Sequence, residues 1–110
     1  MKNHNHHIYK WYQRLFEGLL SNDQDMVNSS YDAILFRRSE AVPYLCTKYL
    51  YSSTQKTEDI IMRFFCLQLL CFSETRDAMH ILLLGLNDKN PYIRQEAKYM
   101  MEDLGLRASH

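Results

Sequence analysis

The stretch Ile81-Leu82-Leu83-Leu84-Gly85-Leu86-Asn87-Asp88-Lys89-Asn90-Pro91-Tyr92-Ile93-Arg94-Gln95-Glu96-Ala97-Lys98-Tyr99-Met100-Met101-Glu102-Asp103-Leu104-Gly105 decides the fold. It reads as an apolar helix, a tight Asp/Pro turn and an amphipathic helix. Ile93, Ala97, Met100, Met101 and Leu104 recur at three- and four-residue spacing, which marks one helix face. Pro91 fits the first helical position, where its missing N–H has no partner to lose. Gly105 is placed to close the helix in a left-handed conformation.

The second half of this stretch recurs upstream. Ile93-Arg94-x-x-Ala97-x-x-Met100-Met101 matches Met62-Arg63-x-x-Cys66-x-x-Leu69-Leu70 at the same internal spacing. Val27-Asn28-x-x-Tyr31-x-x-Ile34-Leu35 keeps the apolar frame without the Arg or the small residue. The offsets are 35 (62 − 27) and 31 (93 − 62), in the range of paired-helix repeats. Each such pair must bury one stripe against its own partner and another against the next pair. A small residue such as Ala97 or Cys66 permits close helix approach.

Six helical segments follow. The first, about Ile8 to Leu20, carries Ile8, Trp11, Tyr12, Leu15, Phe16, Leu19 and Leu20 on one face. Ser21-Asn22-Asp23 supplies cap chemistry for the second, which turns Val27, Tyr31, Ile34 and Leu35 inward and ends near Arg37-Arg38. Ser39 caps a third, with Pro43 early in it and Ala41, Val42, Leu45, Tyr49 and Leu50 as its apolar face. The polar run from Ser52 to Thr57 is a loop whose Thr54 or Thr57 caps the fourth helix. That helix, about Glu58 to Phe72, is apolar nearly all round and therefore belongs between neighbours. Ser73 begins the fifth, with Glu74 behind it. The sixth starts at Pro91.

Residues 81–105 resemble a HEAT-like repeat of the short variety found in bacterial bilin-lyase-type proteins. The residues that carry the resemblance are Leu86, Asp88, Asn90-Pro91, Ile93-Arg94, Ala97, Met101 and Leu104-Gly105. The match is strong over about a quarter of the chain and weak elsewhere, and the middle repeat has about five extra residues in its inter-helix turn. The resemblance implies an all-α, right-handed α-solenoid of about three helix pairs, near 8–37, 38–73 and 74–106; the length suits one domain, and residues 1–7 are expected to be a flexible tail. It also implies that Asp88, Arg94 and Arg63 make structural contacts in the turns.

Composition narrows the function. Lys plus Arg and Asp plus Glu are 13 each, so the chain lacks the broad positive field of a nucleic-acid or anionic-membrane binder. No apolar run approaches the roughly 18 residues that span a membrane. Three Cys, two of them in apolar company, and no signal peptide predict buried, reduced thiols and a cytoplasmic location.

Reactive chemistry is hard to find. His4, His6 and His7 have no Cys nearby and fall short of the fixed four-ligand geometry of a zinc site. Cys66 and Cys71 are five residues apart, and Cys66 fills the small packing slot. A nucleophilic thiol needs an activating base and a polar approach. No phosphate-binding glycine loop, His-Glu-x-x-His helix or calcium loop is present. The expectation is a non-enzyme with no catalytic residues, no metal and no cofactor.

The expected function is protein binding by a small scaffold or adaptor, a monomer or weak dimer. In solenoids the second helices line the concave surface, where Asp32, Gln68, Gln95, Tyr99 and Glu102 point outward. Tyr44, Lys48 and Tyr51 share a face of the third helix, and Tyr92 and Tyr99 a face of the sixth. Tyr is favoured at interfaces. Two rival functions fit the same architecture: an immunity-type partner that neutralises a toxin, and a bilin-lyase-like or chromophore-handling protein, the latter from the resemblance alone. A HEAT-like DNA glycosylase would need a basic groove, which a formal net charge of zero disfavours.

Overall fold

Helix starts are set where a side chain accepts from backbone N–H groups that have no partner within the helix. The computed structural model describes residues 2–52 and 56–108, with side chains at 6–52 and 56–105. Five helices follow one another: α1 Lys2–Leu19, α2 Gln24–Tyr51, α3 Thr57–Cys71, α4 Arg76–Gly85 and α5 Pro91–Ala108. No strand occurs among the described residues. Asp23 caps α2, its carboxylate accepting from the Asp25 N–H at 3.0 Å. Thr75 caps α4 through the Ala78 N–H at 3.2 Å. The Asn90 side chain accepts from the N–H groups of Tyr92 and Ile93 at 2.8 and 3.2 Å, with Pro91 in the first position.

Among the described residues the helices number five rather than six, because the expected second and third run as one element. It breaks at Arg38 (φ 25°, ψ −92°), where a boundary was expected. Pro43 supplies the reason. It offers no N–H to the Ser39 carbonyl and its ring crowds that carbonyl, so the backbone leaves helical geometry just upstream. A left-handed φ at a residue other than Gly costs about 1–3 kcal/mol.

Other boundaries also move. Helix α1 begins at Lys2, ahead of Ile8, so residues 2–7 are helical backbone. Thr57 is the first residue of α3 and not its cap; Lys56 precedes it without a side-chain bond. Thr54 lies outside the described residues. Ser73 donates its hydroxyl to the Leu70 carbonyl at 2.9 Å and closes α3. The chain then turns at Glu74 (φ 56°), which delays α4 to Arg76. Gly105 does not end the last helix. Helix α5 runs through it to Ala108, and none of the three glycines has positive φ.

Two glycines allow close approach instead. A Cβ at Gly18 would lie 2.0 Å from Ser30 Oγ, where α1 meets the first segment of α2. A Cβ at Gly85 would lie 2.9 Å from the Ala97 Cβ and 3.2 Å from Leu67, where α4 meets α5 and α3. The buried small residue in the first segment of α2 is therefore Ser30, one place before Tyr31, which sits half-buried with its ring 5.9 Å from Phe65.

Helix α3 is apolar all round because it packs against each of the other four helices. Met62, Cys66, Leu67, Leu69, Leu70 and Cys71 are its buried residues. Among the described residues α1 does not reach α4 or α5, and α2 does not reach α5. Tyr12, Ile34, Leu45, Leu82 and Ile93 complete the centre of the core. Leu50 was expected inward but is 54% exposed, because Tyr49 takes the core-facing position beside it. Ile8 and Leu20 likewise lie partly exposed at the edge of α1.

Candidate functional site

Tyr9, Tyr12, Gln13 and Phe16 follow one another on α1 at three- and four-residue spacing, so they share a face. Pro43, Tyr44, Thr47, Lys48 and Tyr51 do the same on the second segment of α2. The break at Arg38 lets that segment run beside α1, and the two faces enclose an open groove of about 710 Å³. This volume lies within the usual range for ligand sites.

The groove is organised by a run of π-contacts. Tyr12 is fully buried and stacks on Tyr44 with ring centres 4.3 Å apart and planes 15° from parallel. Trp11 meets Tyr12 edge-on at 4.9 Å, and the Arg37 guanidinium lies 4.8 Å above the Trp11 ring. The Tyr12 hydroxyl donates to Glu40 Oε1 at 2.8 Å, and the same carboxylate oxygen lies 3.5 Å from Arg37. Burial first, then the bond to the Glu40 carboxylate, pushes the Tyr12 phenol above its ordinary range. These contacts tie the floor and the Tyr44 wall together.

The mouth is different. Tyr9 is 50% exposed and Tyr51 85% exposed. Gln13 donates to the Tyr9 hydroxyl at 3.2 Å. The Lys48 ammonium lies 5.6 Å from the Phe16 ring centre, a cation–π contact. No Asp or Glu is among the groove's nine lining residues, and Lys48 makes no ion pair among the described residues.

A second polar cluster lies at the α4–α5 turn. Asp88 Oδ2 accepts from the Tyr49 hydroxyl at 2.7 Å and pairs with Arg63 Nη1. Asp88 Oδ1 accepts from the Asn90 N–H at 3.0 Å. Arg63 Nε donates to the Ser52 carbonyl at 2.9 Å, and its guanidinium lies 4.5 Å from the Tyr49 ring centre. Arg94 donates to the carbonyls of Asp88 and Lys89 at 2.7 and 3.1 Å. The Asp88 side chain is 1% exposed, so the cluster ties α2, α3 and the turn together away from solvent.

Two of the thiols, Cys66 and Cys46, are poor nucleophiles. Burial pushes Cys66 up to about 12, and Cys46 is pushed up to about 11 by burial and the nearby Asp77. Both are protonated near neutral pH, and a thiol attacks as its thiolate. His6 and His7 are exposed on α1, while the side chains of His4 and His110 lie outside the described residues. No group of three His, Cys, Asp or Glu stands ready for a metal among the described residues.

The nine residues singled out from sequence separate in space. Tyr44, Lys48 and Tyr51 line the groove; the other six lie outside it. Tyr92 and Tyr99 are 70% and 54% exposed on α5, with Gln95 and Glu102 exposed on the same helix. Asp32 is exposed on the first segment of α2. Gln68 is half-buried and donates to Glu96 Oε2 at 3.0 Å, so its amide is already engaged between α3 and α5. Sequence reasoning missed Tyr9, Gln13 and Thr47, and placed Tyr12 and Phe16 only in the core. The Tyr9/Tyr12/Phe16 spacing was the available signal.

No protein-family model, curated protein sequence or solved structure matches this chain. No described helix is long and apolar enough to cross a membrane.

Proposed function

We propose that this protein is a non-catalytic protein-binding module, built as a short HEAT-like solenoid, that engages its partner through the α1/α2 aromatic groove. The observation that carries this reading is the groove itself. It has a stacked floor, two exposed tyrosines at the mouth and an ammonium with no carboxylate among the lining residues. Tyrosine presents large contact area with few rotatable bonds and is a frequent interface anchor. The absence of a thiolate-prone Cys from this wall favours binding over covalent chemistry.

Internal symmetry supports the solenoid part of the reading. Arg94 donates to a turn carbonyl six residues upstream, and Arg63 to one eleven residues upstream. The difference of five equals the insertion read in the middle turn. Gly18/Ser30 and Gly85/Ala97 are each twelve residues apart, and the two close contacts are offset by 67 residues (85 − 18; 97 − 30). The small-residue slots Cys66 and Ala97 are both fully buried. Such recurring close contacts and small buried residues are what stacked helix pairs require.

A partner recovered by pull-down from native lysate tests the reading when wild type is run beside Tyr9→Ala/Tyr51→Ala and Tyr99→Ala. The groove reading expects the partner to be lost with the double variant and kept with Tyr99→Ala. Loss with Tyr99→Ala alone transfers the site to the exposed tyrosines of α5. A toxin-neutralising role would show as a single very tight partner at the groove. A chromophore-handling role would show as an absorbance change when a bilin is added.

A further inference from the structure

Resting on the groove reading above, we propose that the occupant is a segment of a partner protein carrying an acidic side chain beside an aromatic or aliphatic one. The carboxylate docks on Lys48, and the apolar neighbour lies between Tyr44 and the exposed rings of Tyr9 and Tyr51.

Charge complementarity selects the acidic group. Lys48 is the single cation among the nine residues of the groove, with no anion among them to answer it. Glu40, the carboxylate that meets the groove's Tyr12 from outside the lining, is already bonded to the Tyr12 hydroxyl and lies 3.5 Å from Arg37. An ammonium flanked by aromatic rings sits in a medium less polar than water. There a charge-assisted hydrogen bond is stronger than on an open surface.

The same geometry selects a carboxylate over a phosphate. A phosphate dianion is met by several donors, typically forked guanidinium groups. One Lys matches the charge of one carboxylate. No guanidinium group lines the groove: Arg37 is engaged with Trp11 and Glu40, and Arg63, at the Tyr49 end of α2, with Asp88 and the Ser52 carbonyl. The apolar half of the motif follows from the aromatic walls, whose area is recovered only by a side chain that displaces water.

Selection from a display library of random peptides tests this, with captured peptides then titrated by fluorescence anisotropy and by the emission of Trp11, the single tryptophan. The expected result is enrichment of Asp or Glu adjacent to Phe, Tyr, Leu or Ile. Replacing the acidic residue by its amide should weaken binding roughly tenfold or more, the range of a hydrogen bond to a charged group. Lys48→Gln should erase that difference while Lys48→Arg retains it. Peptides that need Tyr9 and Tyr51 but show no acidic preference would overturn this inference and leave the groove reading intact. Selection that yields no peptide sensitive to Tyr9→Ala/Tyr51→Ala would overturn both. A phosphotyrosyl peptide binding tighter than its Glu counterpart would overturn the choice of carboxylate.

Discussion

The Asp88 turn and the α1/α2 groove use the same residue types to opposite ends. Both combine Tyr with a cation. At the turn, Tyr49 and Arg63 converge on a carboxylate that has almost no solvent exposure, and backbone groups take up the remaining bonds. In the groove, Tyr9 and Tyr51 face solvent and Lys48 has no carboxylate among its neighbours on the walls. A polar cluster that satisfies itself contributes to holding the fold. One left unsatisfied beside exposed aromatic area is available to another molecule.

Removing the centre of the turn should have the largest effect. Asp88→Ala leaves the Arg63 guanidinium and the Tyr49 hydroxyl without their shared acceptor, and breaking a buried pair from one side costs about 3–5 kcal/mol. Urea unfolding should show a loss of that size. A loss under about 1 kcal/mol would mean that the turn does not depend on this pair.

Gly85→Ala comes next. The new methyl would press on the Ala97 Cβ, which has no rotamer to escape into, so α4 and α5 must separate slightly. Overpacking of this kind costs about 1–3 kcal/mol. Thermal unfolding of this variant beside Gly105→Ala sharpens the point, because nothing lies within 4 Å of a Cβ at Gly105. Gly105→Ala should leave stability unchanged or raise it slightly, since Ala favours a helix interior over Gly.

Alkaline pH should erode the fold. Folded-state values of Cys66, Tyr49 and Tyr12 are raised by burial, with carboxylate hydrogen bonds adding to the two tyrosines. A raised pKa means the unfolded chain loses its proton first, so stability is full below the unfolded value and falls as pH rises toward the folded one. For Cys66 that window runs from about 9 to about 12. Urea midpoints should hold to near pH 9 and decline above it. Tyr49→Phe should flatten the part of the decline above pH 10, where Tyr itself begins to titrate.

The smallest stability effect is expected at the groove mouth. Tyr51→Ala should change the unfolding free energy by no more than about 0.5 kcal/mol, as for an exposed position without special contacts. Its effect belongs in partner affinity, where an aromatic anchor contributes about 2 kcal/mol or more. If Tyr51→Ala costs as much stability as Gly85→Ala, the ring belongs to the fold and the contrast between the two regions fails.

The turn was legible in sequence because its determinants are local. Asp88, Asn90, Pro91 and Arg94 sit within seven residues, and capping bonds span only two or three positions. The groove was legible by halves. Tyr44, Lys48 and Tyr51 were visible as one face of a helix. Their pairing with Tyr9, Tyr12 and Phe16 depends on a contact spanning 28 residues or more, which helical periodicity does not encode. The Arg38 break was visible as a boundary but not as a kink within one element, because capping residues mark an end without giving its angle.

Sequence by itself determined an all-helical chain, the apolar character of α3, the cap of α2, the start of α5 at Pro91 and a formal net charge of zero. These follow from spacing, propensity and composition, which act over a few residues at a time. Tertiary structure alone decided that Tyr12 stacks on Tyr44, that Gln68 is engaged by Glu96, and that Leu50 faces solvent while Tyr49 reaches Asp88. It also decided that Lys48 stands among aromatic rings without a carboxylate. Which side chains meet across helices depends on crossing angles and on how closely the backbones approach. Those are set here by Gly18, Gly85 and the break at Arg38 acting together.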